Sequence, residues 1–304
     1  MSIVSPDSSS LNISAGDYRA KIRCFGGGLS ELKFEDRNLI EPYVETDISA
    51  HYRGDLLAPW PNRIRDGRYQ IDGYEYFLPI NEIVRNNALH GLINGVYWQV
   101  KKRVSSEVVL EVTLPASDFY PTTLHMSVRY CIGKNGLIWS LLAKNVGSAK
   151  VPYGASIHPY LIGHPGELVD DWMLQIAADE VLDVDAKRLL PLDTILVGDK
   201  NFDFRSGSII GRRFIDHAFK IASSSLEPRV DVTAKSGSGV RMEFDSSSQW
   251  VQIHTADRGG EKGNRSSLAV EPMSCPPDAF NSGIDLIWLR PGDEHEMTWK
   301  ICAI

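Results

Sequence analysis

Five short segments place a polar residue where an alternating strand pattern does not need one. They are Asn62-Arg63, His90-Gly91, His158-Pro159, Asp216-His217 and Glu271-Pro272. Each of them alone is also compatible with a structural role, as a hydrogen-bonded histidine or a surface ion pair. Apart from Asn62 and His217, they supply a glutamate, two imidazoles, a guanidinium and an aspartate, which can transfer protons and bind hydroxyl groups.

Other common chemistries lack their sequence signatures. The eight histidines are scattered singly rather than spaced as HxH or HExxH, so no metal is expected. No GxGxxG or GxxxxGK[ST] segment follows a strand, and no GxSxG elbow occurs, so neither a nucleotide cofactor nor a hydrolase triad is indicated. The remaining groups favour cofactor-free proton transfer on a polyhydroxylated substrate.

His158 and Glu271 have a further local property in common. Each precedes a proline, which biases its backbone away from the helical region towards an extended conformation. A side chain at the end of an extended segment can point into a groove, so these two residues are the first candidates for the acid and the base.

The elements that must position these groups are strands. Polar and apolar residues alternate from Val108 to Leu114 and from Met126 to Ile132, as in half-buried strands. Tight turns are indicated at Asp72-Gly73, at 134–136 and at 236–239, because Gly and Asn tolerate a positive φ. Further strands are predicted at Tyr18–Phe25, Leu29–Phe34, Tyr69–Ile71, Tyr74–Leu78, Gly136–Asn145, Trp172–Ile176, Val230–Thr233, Val240–Phe244, Trp250–Thr255, Leu268–Glu271, Ile284–Leu289 and Glu296–Ile301.

This pattern predicts an all-β protein built as a large sandwich of antiparallel sheets. With no internal repeat and no linker composition, residues 1–304 are expected to form one domain, of which 1–16 are loosely ordered. Two polar stretches, Leu192–Gly211 and Ala256–Ser267, are expected to be exposed loops. The second leads directly to Glu271, so it is also a candidate lip over a site.

Composition limits the partners. A formal net charge of −7 and a pI near 5.6 disfavour nucleic acid and anionic membranes, and the compact basic run at 101–103 is typical of a solvated strand end. No apolar stretch approaches the ~20 residues of a membrane span. The four dispersed cysteines and the absence of a signal-like start favour a cytosolic location. A monomer and a homodimer both remain open.

These segments resemble the aldose 1-epimerases, or galactose mutarotases, in order along most of the chain. The resemblance starts with Asn62-Arg63-Ile64 in the segment 61–73 and continues through Leu89-His90-Gly91. His158-Pro159-Tyr160 and the segment 216–219 follow, and Glu271 stands shortly before the segment 277–281. Any one motif is weak, whereas five in order are specific.

The resemblance implies a galactose-mutarotase-like β-supersandwich with an open groove for a monosaccharide. By this likeness Glu271 is the base for the anomeric hydroxyl and His158 the acid for the ring oxygen. Substrate binding would fall to Asn62, Arg63, His90 and Asp216, and Trp60 is a candidate stacking face for the sugar, with a core position as the alternative. The implied activity is interconversion of the α and β anomers of a free hexose such as glucose or galactose.

Departures from the family pattern leave the substrate open. Leu161-Ile162-Gly163 replaces the usual aromatic and asparagine after His-Pro-Tyr, and Pro272-Met273 follows the glutamate. Two alternatives therefore stand beside the mutarotase: a non-catalytic sugar-binding protein on the same scaffold, and a mutarotase for a sulfonated or phosphorylated hexose. The last needs extra cations at the groove, for which Arg65, Arg85 and Arg258 are candidates.

Overall fold

The computed structural model describes residues 10–43, 50–225, 227–260 and 263–304. Its strands are β1 Ser10–Ala15, β2 Tyr18–Arg23, β3 Leu29–Phe34, β4 Arg37–Asn38, β5 Leu56–Leu57, β6 Arg63–Arg65, β7 Arg68–Ile71, β8 Tyr74–Phe77, β9 Asn87–Leu89, β10 Gln99–Val104, β11 Glu107–Leu114, β12 Leu124–Gly133, β13 Gly136–Asn145, β14 Val151–Tyr153, β15 Ser156–Ile157, β16 Tyr160–Leu161, β17 Met173–Ile176, β18 Ala178–Val184, β19 Pro191–Leu196, β20 Ser208–Ile209, β21 Asp216–Ile221, β22 Arg229–Thr233, β23 Gly239–Phe244, β24 Trp250–His254, β25 Leu268–Met273, β26 Ile287–Leu289 and β27 Glu294–Ala303. The helical elements are the short helix α1 Ala279–Ser282 and the 3-10 turns Ala50–Tyr52, Ile83–Arg85, Val169–Asp171 and Val197–Lys200.

Two large antiparallel sheets organise these strands, as the sequence predicts. One has nine strands in the order β10-β11-β12-β13-β27-β23-β22-β17-β20. The other has eight, in the order β19-β18-β21-β24-β25-β15-β5, with β16 also pairing with β25. Smaller pairings join β1 to β4 in sequence, β6 with β9, β7 with β8 and β14 with β26. The fold class is therefore all-β.

Alternation in the sequence places one side of the half-buried strands in a common core. In β12 the residues Met126, Val128 and Tyr130 are fully buried while their neighbours are partly or wholly exposed. Val251 and Ile253 of β24, in the other sheet, belong to the same buried cluster. Burial of this apolar surface is the main favourable term in folding, at roughly 25 cal/mol per Å².

The register of the eight-stranded sheet decides which residues can meet on its other face. Asp216 is paired with His254, and Gln252 with Glu271, across β21, β24 and β25. Residues directly opposite in an antiparallel pair share a face, and so do residues two apart. These four polar residues therefore lie on one face, while Val251 and Ile253 point to the core.

Three expectations about irregular segments are corrected. Residues 10–15, expected to be loosely ordered, form β1 and pair with β2 throughout; residues 1–9 lie outside the described residues. The predicted loop 192–211 contains most of β19 and all of β20, which periodicity misses because their side chains are largely exposed. In the second predicted loop, 256–267, Arg265 and Ser267 are buried, because Arg265 bonds to Asp170 and Asp257. Glu261 and Lys262 lie outside the described residues.

Across the described ranges, every helix is too short or too polar to cross a bilayer.

Candidate active site

A pocket of about 280 Å³ opens on the polar face of the eight-stranded sheet. Six of the residues predicted from the sequence contribute to its wall: Asn62, Arg63, His90, His158, Asp216 and Glu271. They come from distant parts of the chain, so the fold assembles the set. A second depression, of about 330 Å³, is a less suitable site because its charged groups already have partners, Arg205 with Asp203 and Arg229 with Asp231.

The His158 imidazole and the Glu271 carboxylate meet in this pocket, with Nε2 and Oε1 3.2 Å apart. Glu271 is fixed by the ladder of β25, and His158 lies between β15 and β16, both of which pair with that strand. The backbone N–H of His158 donates to the Asp55 carbonyl, and its carbonyl accepts from the Gly54 N–H. Both side chains are at least 94% buried, so the pair is rigidly placed and largely shielded from water.

Burial sets the protonation of this pair. It lowers the pKa of His158 to about 3, assisted by His254, and it raises the pKa of Glu271 well above its ordinary value, assisted by Asp216. Both shifts favour uncharged groups, a neutral imidazole and a protonated carboxyl, so the first proton that the pair binds resides on the carboxyl. Moving that proton across 3.2 Å produces carboxylate and imidazolium with no exchange of protons with water.

Two tyrosine rings hold the His158 imidazole in its plane. Tyr160 stacks on it with the centroids 5.0 Å apart and the planes at 18°, and Tyr52 lies parallel at 6.4 Å. The hydroxyl of Tyr160 donates to the His51 carbonyl, which fixes this ring in turn. Aromatic packing therefore restrains rotation of the imidazole about its side-chain torsions.

His90 has a defined tautomer. Its ring Nδ1 accepts a hydrogen bond of 3.2 Å from the backbone N–H of Asn62, and the backbone N–H of His90 donates to the Asn62 carbonyl at 2.9 Å. Burial, with His158 and Arg63 nearby, lowers the pKa of His90 well below its usual value, so the ring is neutral. The ring proton is therefore on Nε2, and His90 is a hydrogen-bond donor to whatever occupies the pocket.

Arg63 and Asp216 provide opposite charges on the pocket wall. Arg63 Nη2 lies 3.7 Å from Asp216 Oδ2, and Gln252 Nε2 donates to Asp216 Oδ1 at 2.6 Å. Although burial pushes the pKa of Asp216 upward, Arg63 and His254 outweigh it and leave the pKa below its ordinary value. A fixed guanidinium and a fixed carboxylate can donate to and accept from neighbouring hydroxyls of one ligand.

The sequence model for aldose 1-epimerase matches residues 9–302. The chain belongs to the aldose 1-epimerase family. It is accordingly an isomerase of the racemase and epimerase class.

Some of the similar proteins in this family have names that state an activity, and others do not. The uncharacterized protein YihR of Escherichia coli K12 is 37% identical over 292 residues, covering 96% of this chain and 92% of its own. The galactose mutarotase of Rattus norvegicus is 28% identical over 269 residues, covering 81% and 77%. Aldose 1-epimerase membership thus carries mutarotase chemistry in general and leaves the sugar open.

Solved structures agree on the fold. The aldose epimerase homologue of Caenorhabditis elegans superposes with a TM-score of 0.86 at 21% identity, over 97% of this chain and 98% of that one. The galactose 1-epimerase of Lactobacillus acidophilus gives 0.82 at 18%, over 100% and 97%. The galactose-mutarotase-like sandwich expected from the sequence is therefore confirmed.

Trp60 is the predicted site residue that the pocket does not contain. Its side chain is 2% exposed and packs edge-on against Phe280 at 5.9 Å, as part of the main core. The stacking role proposed for it is wrong, because the strand-to-strand packing buries the ring away from the groove. The alternative position in the core is the observed one.

The three arginines considered for a charged sugar lie in different surroundings. Arg65 pairs with Asp278, and Arg258 is buried against Glu41 with its guanidinium 5.2 Å from the Tyr160 ring centre. Arg85 alone of the three lines the pocket. Its Nη1 donates to Glu82 at 3.2 Å.

The donor atoms of His90, His158 and Glu271 lie within 4.8 Å of one another, close enough for a divalent metal. The tautomer of His90 does not suit this use, because Nδ1 is occupied by the Asn62 N–H and Nε2 carries the proton. A metal needs an unprotonated ring nitrogen. The cluster fits proton transfer and hydrogen bonding to a hydroxylated ligand better than metal binding.

Among the wall residues, the following were not predicted as site residues from the sequence: His51, Tyr52, Phe214, His254 and Asp257. Gln252, which bonds to Asp216 next to the wall, was also not predicted. Gln252 had a usable signal, since a polar residue stands two positions before His254 in an apolar strand and shares its face. Phe214 gave no such signal, because it is apolar and lies in the connection before β21. Tyr52 gave no such signal, because it lies in a 3-10 turn at a positive φ of 57°.

Proposed function

We propose that this aldose 1-epimerase interconverts the α and β anomers of a free hexose, with Glu271 as the base and His158 as the acid. The observation that carries the proposal is the contact of 3.2 Å between His158 Nε2 and Glu271 Oε1 inside the pocket. The anomeric hydroxyl and the ring oxygen are bonded to one carbon, so an acid and a base that serve both must lie close together. The pocket volume, about 280 Å³, is near the lower end of ligand pockets and suits a monosaccharide.

The reaction begins when Glu271 takes the proton from the anomeric hydroxyl. The bond between C1 and the ring oxygen breaks, C1 becomes a carbonyl carbon, and the ring oxygen takes a proton from the His158 imidazolium. Rotation about the C1–C2 bond presents the other face of the carbonyl. The ring oxygen attacks that face, Glu271 returns its proton to the new anomeric hydroxyl, and His158 regains its own.

This cycle needs one proton on the pair, which is the number that the opposed pKa shifts favour. In the empty pocket the proton resides on Glu271, so sugar binding has to stabilise the imidazolium form. Asp216 raises the pKa of His158, and Arg63 lowers the pKa of Glu271, although burial dominates both. Each positioned proton transfer is typically worth roughly 10²–10⁴-fold in rate, which suffices because free sugars already mutarotate in water.

The other pocket residues are assigned to substrate binding. We assign His90, through Nε2–H, and Arg63 to the ring oxygen and adjacent hydroxyls, and Asp216 to hydroxyls further round the ring. Asn62 sets the tautomer of His90 through its backbone N–H and accepts the Arg63 N–H on its side-chain oxygen at 2.9 Å. Preorganised donors and acceptors of this kind bind a polar ligand at low cost in ordering.

Arg85 on the pocket wall favours one second candidate, a mutarotase for an anionic hexose. The two candidates are separated by polarimetry on freshly dissolved α-D-glucose, α-D-galactose and α-D-glucose 6-phosphate at neutral pH and low buffer concentration. A faster approach to the unchanged anomeric equilibrium with either neutral sugar supports the first proposal. Acceleration confined to the phosphorylated sugar supports the second, and no acceleration with folded protein refutes both and leaves the sugar-binding protein.

A further inference from the structure

Glu82, in the turn before β9, is the main partner of the pocket arginine. Its carboxylate accepts from Arg63 Nε at 3.0 Å and from Arg63 Nη2 at 3.1 Å, so the pair is bidentate. It also accepts from Arg85 Nη1 at 3.2 Å and from Asn87 Nδ2 at 2.8 Å. Four donor atoms on three side chains thus converge on one carboxylate just behind the pocket wall.

These bonds use one edge of the Arg63 guanidinium. Of its five N–H groups, the Nε–H and one Nη2–H are taken by Glu82. The other Nη2–H faces Asp216 across 3.7 Å, which is too long for a hydrogen bond, and one Nη1–H approaches Asn62 Oδ1 at 3.4 Å. The outer edge of the guanidinium and the Asp216 carboxylate are therefore both able to bind a ligand.

We propose that Glu82 is a positioning residue that holds Arg63 apart from Asp216 and so keeps both groups available to the sugar. The inference rests on the proposed function only in taking the ligand to be a sugar. Its core is the division of Arg63 between two carboxylates. Glu82 binds the guanidinium bidentately on the side away from the pocket, and Asp216 lies just beyond hydrogen-bond distance on the pocket side.

The physical reason is competition between the two carboxylates. The Arg63 and Asp216 side chains are 9% and 13% exposed, so water screens their attraction weakly. Without the negative charge of Glu82, a small rotation of Arg63 closes the gap of 3.7 Å into a direct ion pair. A sugar would then have to break that pair before its hydroxyls could bind to either partner.

The first test is sugar affinity in Glu82→Gln, measured by NMR titration with the sugar on which the wild type is active. We expect the dissociation constant to rise at least about tenfold, because a charge-assisted bidentate bond is lost, while the catalytic rate constant at saturation changes less. The matched control is Glu75→Gln, since Glu75 lies 3.9 Å from Arg68 on the surface and should leave the affinity unchanged. An unchanged affinity in Glu82→Gln overturns the proposal.

A merely structural role is separated by repeating the substitution in an Asp216→Asn background. Because the asparagine cannot capture Arg63 as an ion pair, Glu82→Gln should then weaken sugar binding less than about twofold further. A tenfold loss in both backgrounds means that Glu82 acts through general stability, and overturns the proposal.

A readout without sugar tests the same point if no sugar is turned over. In ¹⁵N-arginine-labelled wild-type protein the Arg63 Nε–H should exchange slowly and give a resolved signal, identified by its loss in Arg63→Lys. That signal should shift and broaden in Glu82→Gln and also in Glu82→Asp, whose shorter side chain retains the charge but not the bidentate geometry. Persistence of the signal in both variants overturns the proposal, whereas absent mutarotation with the expected NMR change refutes only the proposed function.

Discussion

Gly91 follows His90, and the cost of replacing it with alanine can be worked out from the structure. Its φ is +77°, and a Cβ at this position would stand 2.1 Å from the Ala58 carbonyl oxygen, where ordinary contact starts at 3.4 Å. The same oxygen accepts the Leu92 N–H at 2.8 Å. Gly91→Ala must therefore push the two segments about 1 Å apart in a close-packed region, lengthening this bond and displacing His90.

The expected loss has two parts. A left-handed backbone costs an L-residue about 1–2 kcal/mol, and a weakened buried hydrogen bond costs about 1–3 kcal/mol. Gly73→Ala is the matched control, because Gly73 also has a positive φ, +84°, but nothing lies within 4 Å of its added Cβ. We expect Gly91→Ala to lower the free energy of unfolding by about 2–5 kcal/mol and Gly73→Ala, which carries only the backbone part, by about 1–2 kcal/mol.

Urea unfolding followed by tryptophan fluorescence measures both free energies, provided that the slope with denaturant concentration is unchanged. Sugar affinity, measured at a temperature where both variants are folded, should fall only in Gly91→Ala, because only that change moves His90. Equal destabilisation of the two variants would refute the argument from close packing at Gly91.

Three further predictions concern charge. Asp216→Asn should raise KM at least about tenfold with a smaller change in kcat, so steady-state kinetics showing a purely kcat defect contradict the binding role. Because the second proton joins the His158–Glu271 pair only near the lowered pKa of His158, about 3, kcat/KM should not fall between about pH 7 and about pH 5. It should fall as pH rises through the raised pKa of Glu271, and a decline of more than about threefold on the acid side contradicts the single-proton pair. Asp55→Ala removes the buried ion-pair partner of Arg23 and should lower the free energy of unfolding in urea by about 3–5 kcal/mol. Glu294→Ala, which removes a surface partner of Lys144, should lower it little. Equal losses in the two variants contradict the argument.

The sequence predicts the strands that have one buried and one exposed side. The alternation from Val108 to Leu114 lies within β11, and the predicted Gly136–Asn145 coincides with β13. Alternation does not predict the edge strands β10 and β19, because they bury few side chains. Pairing between strands far apart in sequence supplies their order, and that information is not local.

The site divides in a similar way. Six of the seven proposed residues meet in one pocket. Asp216 and Glu271 lie on the open face of the eight-stranded sheet, and the other four reach the pocket from β6 and from connections beside β6, β9 and β15. Trp60 fails because an aromatic side chain has the same sequence signature in a core as on a binding face. Gln252 pairs across strands with Glu271, and Glu82 binds Arg63 from the turn before β9. A linear sequence reveals neither contact.

The central claim, that Glu271 and His158 transfer the protons of anomer interconversion, is tested most directly in Glu271→Gln. This substitution keeps the size of the side chain and removes the base. Polarimetry on the sugar that the wild type accelerates should show the rate reduced to that of buffer, while NMR titration still detects sugar binding. Wild-type acceleration by Glu271→Gln would contradict the account.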